Sequence, residues 1–153
     1  MQQAEVDYRL LEKQAAALLS GQAHLVANAA NLSALIYQSM PRLNWAGFYF
    51  REGDTLILGP FQGKPACVSI PMGKGVCGTA AATGKNQRVA DVHAFAGHIA
   101  CDVDSNAELV IPLFRDGAVF GVLDLDSPEK GRFDEQDETG VAALARVFEA
   151  SLD

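Results

Sequence analysis

At 153 residues the chain is long enough to bury a core without disulfide or metal staples, and short enough to form one domain. Its net charge of −7 repels phosphate backbones and anionic lipids, which argues against nucleic acid and membrane surfaces as partners. No apolar run reaches the roughly 20 residues that cross a bilayer, and the opening MQQAEVDYRL lacks an apolar leader core, so a cytoplasmic location is expected.

Residues 5–20 place Tyr8, Leu11, Ala15 and Leu18 on one helical face, and Gly21 is a natural stop. A second helix is expected from about Gln22 to Met40, with Leu25, Ala29, Leu32 and Ile36 as its apolar stripe. Pro41 ends it, because the ring cannot continue the hydrogen-bond ladder. These helices, within residues 1–40, can pack on a sheet or on a second copy of the chain.

The period then changes from 3.6 to 2. Trp45 to Phe50 alternates, and Thr55 to Leu58 follows a turn at Arg51-Glu52-Gly53-Asp54, which predicts a hairpin. A loop over Gly59–Pro65 and a short strand over Cys67–Ile70 come next. The stretch MGKGVCGTAAATG (72–84) reads as a glycine-rich turn feeding a short helix, and Arg88–Ala90 as another strand. Residues 91–107 fit no period. Their apolar side chains (Val92, Phe95, Ile99, Val103) predict a folded loop, and one of that length is commonly functional.

Glu108–Phe114 and Ala118–Asp126 form the strongest hairpin signal. Phe133–Leu152 reads as a last helix with Asp134 as N-cap, Asp137 in the capping-box position, and Val141, Leu144, Val147 and Leu152 on its apolar face. The order of elements predicts an α+β fold: a central antiparallel sheet covered by helices. A single domain over 1–153 is expected, with the sheet and loops in 44–127 and the final helix in 134–152.

The second hairpin allows an argument about side-chain position. With Gly117 third in the loop, Phe114 faces Ala118, Glu108 faces Asp124, and Asp126 lies on the same face one step beyond. A two-residue Asp-Gly turn would instead send Glu108 to the opposite face. We favour the first register, which gathers three acids at one sheet end. Clustered carboxylates raise one another's pKa, so one can stay protonated near neutrality, and together they form a socket for an ammonium group. Carboxylates at strand ends otherwise simply face water.

Three cysteines, Cys67, Cys77 and Cys101, are too few and too odd in number for a secreted disulfide framework. Cys77 is the best placed on local grounds, since a helix start and Lys74 would lower its pKa. Cys101 sits in the irregular loop between His98 and Asp102. Local chemistry alone does not rank the three. His93, His98 and Cys101 lack the paired spacing of metal ligands, so no metal is expected. The Gly73–Gly78 stretch lacks the Lys-Ser/Thr of a phosphate loop, and there is no nucleophile elbow.

The segments NWAGFYF (44–50), GPFQGKPACVSIPMGKGVCGTAA (59–81), VADVHAFAGHIACD (89–102) and ELVIPLF with GVLDLDS (108–127) resemble the free methionine-R-sulfoxide reductases, a GAF-domain family. The resemblance spans essentially the whole chain and matches three separated cysteines and three separated acids at once. It implies a six-stranded antiparallel sheet with helices on both sides, a homodimer, and no bound cofactor. It also implies Cys101 as nucleophile, Cys67 as resolving thiol with Cys77 as an additional partner, Trp45 against the substrate methyl group, and Glu108, Asp124 and Asp126 on the amino group and the sulfoxide. The implied activity is thiol-dependent reduction of free methionine-R-sulfoxide, with thioredoxin or a similar dithiol as the reductant. GAF domains also serve as small-ligand or redox sensors, which is the competing expectation.

Overall fold

The computed structural model describes residues 6–152, so residues 1–5 of the expected N-terminal segment lie outside the described residues. Helix α1 (Tyr8–Leu19) is capped by Asp7, whose side chain accepts from the Leu10 amide. It buries Leu11, Ala15 and Leu19, while Leu18 is 42% exposed. The expected stripe is thus corrected at its end: Leu19 continues the i, i+4, i+8 line that Leu18 leaves. Helix α2 (Leu25–Ser39) buries Ala29, Leu32 and Ile36, and the chain leaves it through Met40 into Pro41.

Strand β1 (Trp45–Glu52) pairs with β2 (Thr55–Gly63), so the loop expected over Gly59–Pro65 is largely strand. A bulge between Gly47 and Tyr49 absorbs the mismatch and lets pairing continue to Trp45 opposite Gly63. Strand β3 (Ser69–Pro71) starts two residues later than expected. Helix α3 (Gly75–Thr83) and the edge strand β4 (Gln87–Val89) follow. A single 3-10 turn, Val92–Ala94, is the regular part of the next loop. Strands β5 (Ala107–Arg115) and β6 (Ala118–Ser127) complete the sheet, and helix α4 (Glu135–Ser151) ends the fold. Asp134 and Asp137 close the expected capping box.

The sheet order is β3-β2-β1-β6-β5-β4, all antiparallel. Its pleat divides the side chains into two cores. Leu109, Ile111, Leu123 and Leu125 face α1, α2 and α4, where Phe48 packs on Phe148 with ring centroids 4.6 Å apart. Each such aromatic buries enough surface for about 2–3 kcal/mol. Trp45, Tyr49, Val110 and Val122 face the other way, toward α3. Contrary to expectation, Phe148 rather than Leu152 anchors α4.

A buried polar cluster locks the helix face. Arg132 donates to the Pro41 carbonyl from Nε at 3.1 Å and Nη2 at 3.0 Å, and from Nη1 to Asp137 at 3.2 Å. Asp137 also accepts the Tyr8 hydroxyl at 2.6 Å. The Tyr8 ring lies flat on Gly140, where any Cβ would collide with it. That contact explains a glycine inside a helix, which otherwise costs about 1 kcal/mol.

Candidate active site

The second hairpin positions the acids by a route different from the expected one. The turn has two central residues, Asp116 and Gly117, with φ of 52° and 79°, the mirror-image geometry that matches strand twist. Arg115 therefore faces Ala118, the register that would have sent Glu108 to the helix face. One extra residue in β6, Phe120, then restores the parity: Leu113 faces Gly121 and Glu108 faces Asp126, with Asp124 opposite Val110. The three acids share one face as expected, but through a tight turn plus a bulge, and Glu108 faces Asp126 rather than Asp124.

That face points away from the helix core toward α3. Glu108, Asp124 and Asp126 are 8%, 4% and 9% exposed, so they do not face water as strand-end acids otherwise do. Burial raises the pKa of all three above the ordinary carboxylate range. Neighbouring charge adds to this: Asp124 beside Glu108, Asp126 beside Asp124, and Glu108 beside Asp126. Asp124 Oδ1 is buried without a hydrogen-bond partner. An acceptor left open in this way is costly unless a donor arrives.

Cys77 corrects a second expectation. It lies in the first turn of α3, yet its thiol is buried and its pKa is pushed up, first by burial and then by Asp124 and Glu108. The helix dipole and Lys74 do not outweigh those effects. Its Sγ approaches Glu108 Oε2 at 3.7 Å, so the thiol serves as a donor to the acid cluster. Donor atoms of Cys77, Glu108 and Asp124 lie within 4.8 Å of one another, a spacing that suits a cation.

Cys67 and Cys101 are joined by a disulfide, their Cα atoms 5.3 Å apart across 34 residues of sequence. Cys101 lies on the loop over the acids. Val92, Phe95 and Ile99 fasten that loop inward, whereas Val103 is 86% exposed and contributes nothing to it. Trp45, Cys77, Cys101, Glu108, Asp124 and Asp126 line one cavity. Cys67 joins it through the disulfide. The free space is about 40 Å3, small beside the ~150 Å3 cavity that holds a benzene-sized guest.

Trp45 is 2% exposed, stacks on Phe61 at 5.1 Å between ring centroids, and is both core and cavity wall. His98 lines the cavity too, its pKa lowered by partial burial and by His93, which favours the neutral ring. Tyr49, on the cavity wall, and Asn44, bonded to Asp102 beside it, also belong to the site. Tyr49 was visible in principle, four residues beyond Trp45 on the same strand face. Nothing local marked Asn44.

The GAF domain family matches residues 26–153. The free methionine-R-sulfoxide reductase of Escherichia coli is 52% identical over 145 residues, covering 95% of this chain and 88% of that one. The reduced form of fRMsr of Staphylococcus aureus superposes with a TM-score of 0.96 at 49% identity, covering all of both chains. The free methionine-R-sulfoxide reductase of Neisseria meningitidis, in complex with its substrate, superposes with a TM-score of 0.92 at 39% identity, covering 99% of this chain and 93% of that one.

Proposed function

The chain belongs to the GAF-domain free methionine-R-sulfoxide reductases, and on that premise we propose how its own residues reduce free methionine-R-sulfoxide to methionine. One observation carries the reading. A cysteine sulfur already bonded to a second cysteine shares a cavity with three buried acids, one of which has an open acceptor.

A sulfoxide oxygen leaves sulfur only when it takes a proton, so the reaction needs a thiolate and an acid together. Cys101 attacks the sulfoxide sulfur, and Glu108 or Asp126, held protonated by burial, delivers a proton to the oxygen. The S–S bond so formed breaks as the hydroxyl passes from the methionine sulfur to the cysteine sulfur: the sulfoxide sulfur gains two electrons and leaves as methionine, and Cys101, oxidised by two electrons, carries the oxygen as a sulfenic acid. Cys67 then condenses with it, forming the disulfide and water. A dithiol such as thioredoxin reopens the bond by exchange. Cys77, buried against Glu108, keeps the acid cluster supplied with a donor and stands as a reserve thiol.

Trp45 forms the wall against the substrate methyl group. Asp124 and its neighbours receive the α-ammonium, which explains a preference for the free amino acid: a peptide nitrogen carries no charge, so the buried acceptor would stay unpaired. The free space of the disulfide form is small for a whole amino acid, and it is the reduced form that takes the substrate. No bound cofactor is needed for these steps.

The chain 1–153 works as one unit. It functions in the cytoplasm, where a dithiol pool is at hand; no helix among the described residues is long and apolar enough to cross a membrane. It forms a homodimer, for which Leu10, Leu18 and Val26 on α1 and α2 remain exposed as apolar contacts.

The test is a thiol count. Reduced protein mixed with free methionine-R-sulfoxide should lose two thiols per methionine released, and should be inert toward the S epimer and toward a peptide-bound sulfoxide. Binding without thiol loss would make the chain a sensor instead. In Cys67→Ser, without added thiol, about one methionine per chain should appear before turnover stalls. Full thioredoxin-coupled cycling of Cys67→Ser would remove Cys67 from the resolving role, unless Cys77 substitutes, which Cys67→Ser combined with Cys77→Ser tests.

A further inference from the structure

Neither cysteine of the disulfide lies on a strand, yet one of their loops is tied to β1 and the other to Asn44, the residue just before it. Tyr49 Oη donates to the Cys67 carbonyl at 2.9 Å, and Trp45 Nε1 donates to the Lys64 carbonyl at 3.2 Å. On the other side Asn44 Nδ2 donates to Asp102 Oδ2 and to Ser105 Oγ, both at 3.0 Å. Lys64 and Asp104 join the two loops directly at 2.5 Å, although both are exposed and the pair is correspondingly weak.

The tie from Tyr49 is made to the resolving cysteine itself. Its ring is 2% exposed and stacked beside Trp45 with centroids 5.9 Å apart, so the hydroxyl has a fixed origin. The Val68 carbonyl still accepts from the Leu58 amide of β2 at 2.9 Å, whereas the Cys67 carbonyl goes to Tyr49, so Cys67 stands just outside the strand, where it meets Cys101. Burial, with Asp124 adding to it, raises the Tyr49 pKa, so the hydroxyl remains a donor throughout the working range.

We propose that Tyr49 is a positioning residue for resolution: its hydroxyl holds the Cys67 backbone where the thiol meets Cys101, while Asn44 holds the opposite loop. The inference rests on the proposed resolving role of Cys67. In the step concerned the Cys67 thiol adds to the Cys101 sulfur, the S–OH bond breaks, and hydroxide leaves with the thiol proton as water. The reaction joins two groups on separate loops, so its rate depends on how far their relative freedom is already removed.

The experiment uses reduced Tyr49→Phe, which keeps the ring and removes only the donor. The protein is mixed with one equivalent of free methionine-R-sulfoxide and quenched at intervals with a sulfenic-acid trap, with methionine and disulfide followed in parallel. Methionine release in the first turnover should slow by no more than about threefold. Closure of the disulfide should slow by about five- to tenfold, the weight of one neutral hydrogen bond. Trapped Cys101 sulfenic acid should accumulate accordingly. Closure at the parental rate with no added trapping would overturn the proposal, as would equal slowing of both steps, which marks general loosening. Cys67→Ser in a Cys77→Ser background, where no reserve thiol is left, separates the layers: if it accumulates no trapped acid, the resolving reading itself fails. If it stalls as the acid while Tyr49→Phe closes normally, only the positioning role is lost.

Discussion

Cys101→Ser is expected to eliminate methionine release from free methionine-R-sulfoxide, by at least about a thousandfold. A serine hydroxyl in the same place is a far weaker nucleophile and cannot become a sulfenic acid. The two remaining thiols do not compensate. Cys77 is buried with a raised pKa, and Cys67 is not among the residues that line the cavity. The measurement is single-turnover methionine formation by the reduced variant, with thermal unfolding alongside to show an intact fold. Release within tenfold of the parent would remove Cys101 from the chemistry.

Glu108→Gln and Asp126→Asn are each expected to lower the rate by about a hundredfold to ten-thousandfold, the range for a lost general acid. The parent should lose activity as pH rises through the raised pKa of the donor, and the variant that abolishes this alkaline limb identifies the donor. The substitution should move stability in the opposite sense to rate. Burial raises the folded-state pKa of Glu108, so the native chain holds a proton that the unfolded chain releases at lower pH. The associated stability is fully present below the unfolded pKa and is lost as pH rises through the folded one. A neutral glutamine escapes that loss, so Glu108→Gln should melt at a higher temperature than the parent at neutral to alkaline pH, by several degrees. A variant that keeps full rate, or that melts lower throughout, would contradict the assignment.

The helices were legible because their stripes follow one local period: Ala29, Leu32 and Ile36 are buried as the spacing required. The strand pairings depend on partners far along the chain, which local spacing does not reveal. Asp116-Gly117 signalled a tight turn, but the extra residue at Phe120 leaves no mark in composition, so the register was misjudged while the face was kept. Gly59 and Pro60 look like loop residues, yet β1 needs a partner along its whole length, and a bulge admits them. For Cys77, proximity to a helix start was visible and enclosure by three carboxylates was not. The ties from Asn44 and Tyr49 to the cysteine loops span 18 or more residues of a path that only the folded chain defines.

The sheet also acts as a partition with consequences for how the sequence can drift. Everything tied to the sulfur chemistry lies on the α3 side, whereas the largest apolar cluster and the Arg132–Asp137–Tyr8 lock lie on the far side. Sites separated in this way change the folding free energy nearly independently. Lineages, or engineers, can therefore accumulate rigidifying replacements among the outer helices, offsetting the strain of three enclosed acids, without retuning a single reacting group.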